Sequence, residues 1–309
     1  SPSSYGDDPA WEDVVALPQD DGGPNPLAAI AYTDEYREAM AYLRAIMAQS
    51  EFSPRALTLT KHIISLNPAH YTVWLYRAKI LFALDADLRL ERDWLNGVAL
   101  RYLKNYQIWH HRQVIVEKLG DPAGETDFIA QMFEKDAKNY HVWSYRQWLV
   151  RHFALWDTEL PYLESLIQAD VRNNSAWNHR YYVVYGREDG QPVAPEIVER
   201  ERQYAQSAIA LAPQNESPWN YLRGVLRKSN LPLSTIRTFS AQFADPHRPE
   251  TIRSSYALDV LADIYGEEAD TKADAELALD LLAQKYDPIR AQYWKYKKQL
   301  LQPASAAVA

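Results

Sequence analysis

The chain has 309 residues, 47% of them aliphatic or aromatic, which is ample for a buried core. Its net charge of −8 argues against a general nucleic-acid binder, which needs a basic face to displace counterions from phosphates. The chain has no cysteine, so it offers no thiolate nucleophile, disulfide or thiolate metal ligand, and this fits a cytoplasmic protein.

Residues 1–30 are rich in acidic residues and prolines, Pro18, Pro24 and Pro26 among them, and read as an extended segment. Within it Trp11, Val14, Val15 and Leu17 are placed to lie along a partner. From Thr33 the pattern turns helical: Tyr36, Met40, Leu43 and Met47 recur at three- and four-residue steps. Ser53-Pro54 reads as an N-cap followed by Pro at the first helical position, opening a helix through Leu66 that Asn67-Pro68 ends.

A repeat then dominates. KNYQIWHHR (104–112), KNYHVWSYR (138–146) and NNSAWNHR (173–180) share one signature, and Trp74, Trp109, Trp143 and Trp177 fall 35, 34 and 34 residues apart. Trp219 and Trp294 continue the series at wider intervals, with Tyr256 near the middle of the last gap as a worn copy. This period marks stacked helical hairpins. The fold expected for residues 31–309 is all-α, a right-handed superhelical solenoid of about seven hairpins sharing one core.

Asn105, Asn139, Asn173 and Asn215 each lie four residues before a repeat Trp, where Asn serves as an N-cap. Arg77, Arg112, Arg146 and Arg180 follow their Trp by three residues, on the same helix face, and are expected to reach a carboxylate or carbonyl on the neighbouring hairpin. REDGQPVAP (187–195) reads as a surface insertion. Two late motifs depart: Leu222 stands where Arg is expected, with Arg223 next, and Lys297 replaces Arg after Trp294.

Little of this carries chemistry by itself. His110, His111, His141, His152 and His179 show no metal-ligand spacing, and no Gly-x-Ser-x-Gly or phosphate-cradling glycine loop occurs. The starts of the second and third motifs are different. Lys104-Asn105-Tyr106-Gln107 and Lys138-Asn139-Tyr140-His141 put donors at successive helix N-termini, where free N–H groups already favour anions. Two uses stay open at this point: a half-site for a phosphate or diphosphate, or a solvated rim.

LKNYQIWHHR, DAKNYHVWSYRQW and NPAHYTVWLYR, with the entry segment WEDVVALPQDDGGPNP, resemble the protein prenyltransferase α subunits over nearly the whole chain, about residues 11 to 302. The KNYQ-W-HHR string is most similar to the α subunit shared by farnesyltransferase and geranylgeranyltransferase type I. The resemblance implies a crescent of hairpins around a separate β subunit, an α-α barrel that binds the catalytic zinc. The reaction implied transfers a farnesyl or geranylgeranyl group from its diphosphate to the Cys of a C-terminal CaaX motif, on proteins such as small GTPases, with magnesium for the farnesyl form. It further implies that Lys104 and Tyr106 act at the diphosphate, that Gln107 binds the CaaX carboxylate, that Asn139, Tyr140 and His141 flank the diphosphate, and that Tyr71 lies near the last CaaX side chain. Nucleic acid and a membrane span have no place in this reading. A tetratricopeptide-like peptide adapter would share the period, but it calls for small residues where this chain has Trp and Arg. A self-sufficient enzyme lacks a catalytic set.

Overall fold

Short polar side chains start most of the helices. The computed structural model describes residues 4–19, 33–187 and 191–302, and it divides into two compact units, Ser1–Phe153 and Ala154–Ala309. The first contains α1 (Asp34–Ala48), α2 (Pro54–Leu66), α3 (Tyr71–Ala83), α4 (Leu88–Arg101), α5 (Gln107–Leu119), α6 (Glu125–Lys135) and α7 (Tyr140–Phe153). Thr33 and Ser53 accept N–H bonds at the starts of α1 and α2, and Asn105 and Asn139 do the same for α5 and α7. Helix pairs α1–α2, α2–α3, α4–α5 and α6–α7 pack together, and the tryptophan helices α3, α5 and α7 pack in sequence. Ser50, Asp85 and Gly120 follow α1, α3 and α5 in the left-handed conformation that ends helices.

The second unit holds α8 (Glu159–Ala169), α9 (Asn174–Tyr185), α10 (Pro195–Leu211), α11 (Glu216–Lys228), α12 (Arg237–Ala241), α13 (Ser255–Gly266), α14 (Lys272–Leu281) and α15 (Ala291–Leu300). Asn173 and Asn215 cap α9 and α11. No strand occurs among the described residues, and none of their helices is long and apolar enough to cross a membrane. The division falls inside the stretch 31–309. A solenoid repeat contacts only its neighbours, so each run of hairpins carries a core of its own.

All six repeat tryptophans are buried, none more than 5% exposed. Four of them donate Nε1–H to the carbonyl six residues earlier: Trp74 to Pro68 at 2.8 Å, and Trp143, Trp177 and Trp219 to Ala137, Val171 and Pro213 at 2.9 Å. The cap asparagines use both ends. Asn105 donates Nδ2–H to the Pro68 carbonyl, Asn139 to Leu103 and Asn215 to Val171, so each ties its helix start to the turn of the preceding repeat.

Beneath the turns runs a series of buried carboxylates. Arg77 holds Glu91 through two 2.7 Å bonds, and His111 of the next repeat meets the same carboxylate at 2.8 Å. Arg112 and Tyr145 share Glu125, Arg180 and Tyr221 share Glu201, and His179 bonds Glu159. The ring always comes from the second residue after a repeat Trp. Removing one member of such a buried pair strands the other, at about 3–5 kcal/mol.

Three sequence expectations change. Residues 4–19 are not simply extended: Tyr5–Asp7 and Pro9–Trp11 form 3₁₀ turns that dock on α1 and α2. Trp11 is buried within the chain, edge-on to Tyr5 and Tyr42 with Arg55 over its face, because Asp13 and Glu51 hold that guanidinium there. Val15 and Leu17 stay exposed. The worn copy in the last gap places Leu258, not Tyr256, in the core, four residues after its cap Ser254. In the late motifs, Arg223 and Lys297 converge on Asp259 and Asp263 in place of a single buried pair. Pro24 and Pro26, residues 188–190 of the insertion and residues 303–309 lie outside the described residues.

Candidate functional site

Three successive helix starts in the first unit carry the candidate residues. Tyr71 is the first residue of α3, 44% exposed, and stacks on His110 of α5 with ring centroids 5.9 Å apart and planes 13° from parallel. Tyr106 immediately precedes α5, is 52% exposed, and faces the His141 ring of α7 at 5.8 Å. Tyr140, the first residue of α7, is 76% exposed and lies edge-on to the same His141. The fold therefore gathers Tyr106, Tyr140 and His141, and sets Tyr71 apart with His110.

Lys104 sits exposed on the turn between α4 and α5, with no side-chain hydrogen bond or ion pair among the described residues. Its turn is tied to α7: buried Asn139 donates Nδ2–H to the Leu103 carbonyl at 2.7 Å, while its Oδ1 accepts from the His141 and Val142 N–H groups. Asn139 thus holds the Lys104 turn with one N–H, and its second N–H remains for a ligand. Gln107 is also buried, and its Nε2 donates to the Ala69 carbonyl at 2.8 Å. An amide nitrogen carries two N–H groups, so one remains for a carboxylate.

Five stretches of the chain, residues 53–84, 88–119, 122–153, 156–186 and 198–229, match the protein prenyltransferase alpha subunit repeat. The Candida albicans protein farnesyltransferase/geranylgeranyltransferase type-1 subunit alpha is 37% identical over 279 residues, spanning 88% of this chain and 90% of that protein. Its Schizosaccharomyces pombe namesake is 55% identical over 216 residues, 70% and 72% of the two chains. The chain belongs to the protein prenyltransferase α-subunit family. A solved structure of Candida albicans protein geranylgeranyltransferase-I complexed with GGPP matches with a TM-score of 0.87 at 35% identity, covering 94% of this chain and 98% of that one.

Each prenyltransferase repeat takes one even-numbered helix and the tryptophan helix after it, from α2–α3 to α10–α11. The carboxylates below the site are strongly biased. Burial opposes ionisation of Glu91, but Arg77 and His111 overcome it and bring its pKa down to about 2. Burial pushes the pKa of His111 below its ordinary value against the pull of Glu91, so it is the neutral imidazole that donates Nε2–H. Tyr145 is driven up, chiefly by burial and then by Glu125.

Sequence reasoning weighed His110 only as a metal ligand and missed its stacking on Tyr71. The available signal was its spacing, three residues after Gln107 and four after Tyr106, which puts all three at one helix edge. Among the described residues no group of three or more His, Cys, Asp or Glu side chains is placed to hold a metal ion.

Proposed function

We infer that this chain is the shared α subunit of protein farnesyltransferase and geranylgeranyltransferase type I. It works in a heterodimer with a β subunit and takes part in moving a farnesyl or geranylgeranyl group onto the Cys of a C-terminal CaaX motif. The observation that carries this reading is the near full-length match to relatives bearing that name, over the repeats that hold the exposed Lys104 edge. The alternative, a helical-repeat peptide adapter, is favoured by no observation of its own.

In the reaction a bond forms between the Cys sulfur and C1 of the lipid while the C1–oxygen bond breaks. Its electron pair leaves with the diphosphate, and the thiol proton is lost beforehand. Charge therefore grows on the diphosphate in the transition state, and a fixed cation there lowers the barrier. Lys104, exposed on its turn and without a partner among the described residues, supplies that cation, and Tyr106 adds a phenol beside it. Tyr140 and His141 flank the diphosphate, with Asn139 holding the turn in register. Gln107 offers its second N–H to the CaaX carboxylate, next to Tyr71.

The side chains of this subunit do not fit a zinc centre: cysteine is absent, and no cluster of donors occurs among the described residues. Zinc accordingly belongs with the β subunit in this reading, and magnesium with the farnesyl form. The reading includes a cytoplasmic location, since CaaX termini are synthesised there.

Prenyl transfer to a CaaX peptide, measured for the chain alone and after co-expression with a β subunit, tests the proposal with each lipid diphosphate in turn. Zinc-dependent activity is expected only with β. Absence of both a stable complex and activity would leave the adapter as the better account.

A further inference from the structure

Tyr71 and Tyr106 occupy the same repeat position, three residues before a tryptophan, yet they meet histidines at different positions of the next repeat. Tyr106 meets His141, two residues before Trp143. Tyr71 meets His110, one residue after Trp109. These positions are three residues apart, about 4.5 Å along a helix, so Tyr71 engages its neighbour nearly one turn deeper than Tyr106 does. The alternatives are closed by composition: Ser144 stands in α7 where α5 has His110, and Gln107 stands in α5 where α7 has His141. Histidine placement thus separates two otherwise equivalent tyrosines, one in the Lys104 turn and one two residues after the carbonyl that Gln107 holds.

We infer that His110 is a positioning residue for the peptide end of the site. Its stack fixes Tyr71 as the wall against which the last CaaX side chain is read. This rests on the reading of Gln107 and Tyr71 as contacts of the CaaX terminus. Three observations support it. The near-parallel, offset stack sets the His110 ring against Tyr71, while the residue as a whole remains 44% exposed. A ring held in this way keeps one rotamer, where an unsupported exposed tyrosine exchanges among several. The Gln107 amide grips the Ala69 carbonyl, two residues before Tyr71, so carboxylate anchor and wall are joined through the same backbone turn.

The test uses the complex with β, a lipid diphosphate and CaaX peptides that differ only in their last residue. His110→Ala should raise the peptide KM about tenfold and narrow the discrimination among terminal residues, because wall position sets both. Its kcat and lipid affinity should stay within about twofold of wild type, the pattern of lost ground-state binding. His110→Phe keeps a flat ring for stacking and should restore KM and discrimination together. Unchanged melting curves and complex formation confirm that both variants fold. The inference is overturned if His110→Ala leaves discrimination intact, if Phe fails to restore it, or if the loss falls on kcat or lipid affinity instead. A Gln107→Ala variant with unaltered peptide KM would sink the underlying carboxylate reading, a separate failure.

Discussion

The turns that open α5 and α7 share the sequence Lys-Asn-Tyr, and they are held differently. Before α7, Asp136 Oδ1 accepts from the Lys138 N–H, and the Ala137 carbonyl takes the Nε1–H of Trp143 at 2.9 Å. Before α5, Tyr102 and Leu103 stand at these positions, and the buried Nε1 of Trp109 has no hydrogen-bond partner among the described residues. Other repeats close the turn with an Asx residue, as at Asn67 and Asp170, or with a proline at the carbonyl position, as at Pro68 and Pro213. The α5 turn has neither, and among the described residues Asn139 alone pins its carbonyl. A shared motif therefore does not guarantee a shared local structure. The residues just ahead of it decide how firmly Lys104 is held.

The largest effect should come from the well-closed side. Trp143→Ala removes a ring stacked 4.1 Å from Phe133 and should cost about 3–5 kcal/mol in denaturant melts. A fully stable variant would contradict the stacking described for this repeat. On the α5 side, Lys104→Ala should lower turnover of the heterodimer by about 10²–10³ while leaving assembly with β intact, as expected for a group that acts on developing charge. Full turnover would reduce Lys104 to a surface cation.

Replacing each indole by Phe isolates the hydrogen bond. Trp143→Phe loses a made bond and strands the Ala137 carbonyl, whereas Trp109→Phe only deletes an unpaired donor. The first should be the more costly by about 1–3 kcal/mol in paired melts, and equal costs would mean that the two turns are equivalent. Acid should distinguish the same two repeats. His111, whose pKa burial holds below 6.5, is neutral when folded, so the unfolded chain takes up the proton first and stability falls as pH drops below about 6.5. Glu91 adds a second loss between 4.5 and about 2, because its folded pKa lies below its unfolded one. Tyr145, at the position of His111 in the next repeat, does not titrate there. Melting temperature against pH should show the first loss, and His111→Tyr should flatten it. Smallest of all, Leu103→Pro copies the closure at Pro68 and Pro213 and should stabilise the chain by about 0.4–1 kcal/mol. Destabilisation would show that Leu103 is needed for more than its carbonyl.

Much of the architecture was legible because it is periodic. The buried tryptophans, the asparagine caps and the Ser53-Pro54 opening all sit at fixed offsets, and offsets survive in a one-dimensional string. The carboxylate partners of the arginines did not show through. Glu91 follows Arg77 by 14 residues, Glu125 follows Arg112 by 13, and Glu201 follows Arg180 by 21, because the connections between helices vary in length. Trp11 misled for another reason. A tryptophan in a proline-rich acidic segment looks available to a partner, and only the three-way arrangement of Arg55, Asp13 and Glu51 shows that the chain keeps it. At the candidate site, the residue types were readable but not their commitments. That Asn139 and Gln107 spend their amides on neighbouring turns follows from packing alone.

The doubly used turn carbonyls bear on how the protein is made. Pro68 accepts from Trp74 in its own repeat and from Asn105, 37 residues later. A ribosome adding about 5–20 residues per second delivers that second donor roughly 2–7 s after the acceptor. Each newly emerged hairpin therefore waits, half-finished, for its successor. A chain truncated at a hairpin boundary would wait indefinitely, with an open acceptor and an apolar flank that need a polar cap before the fragment can live alone.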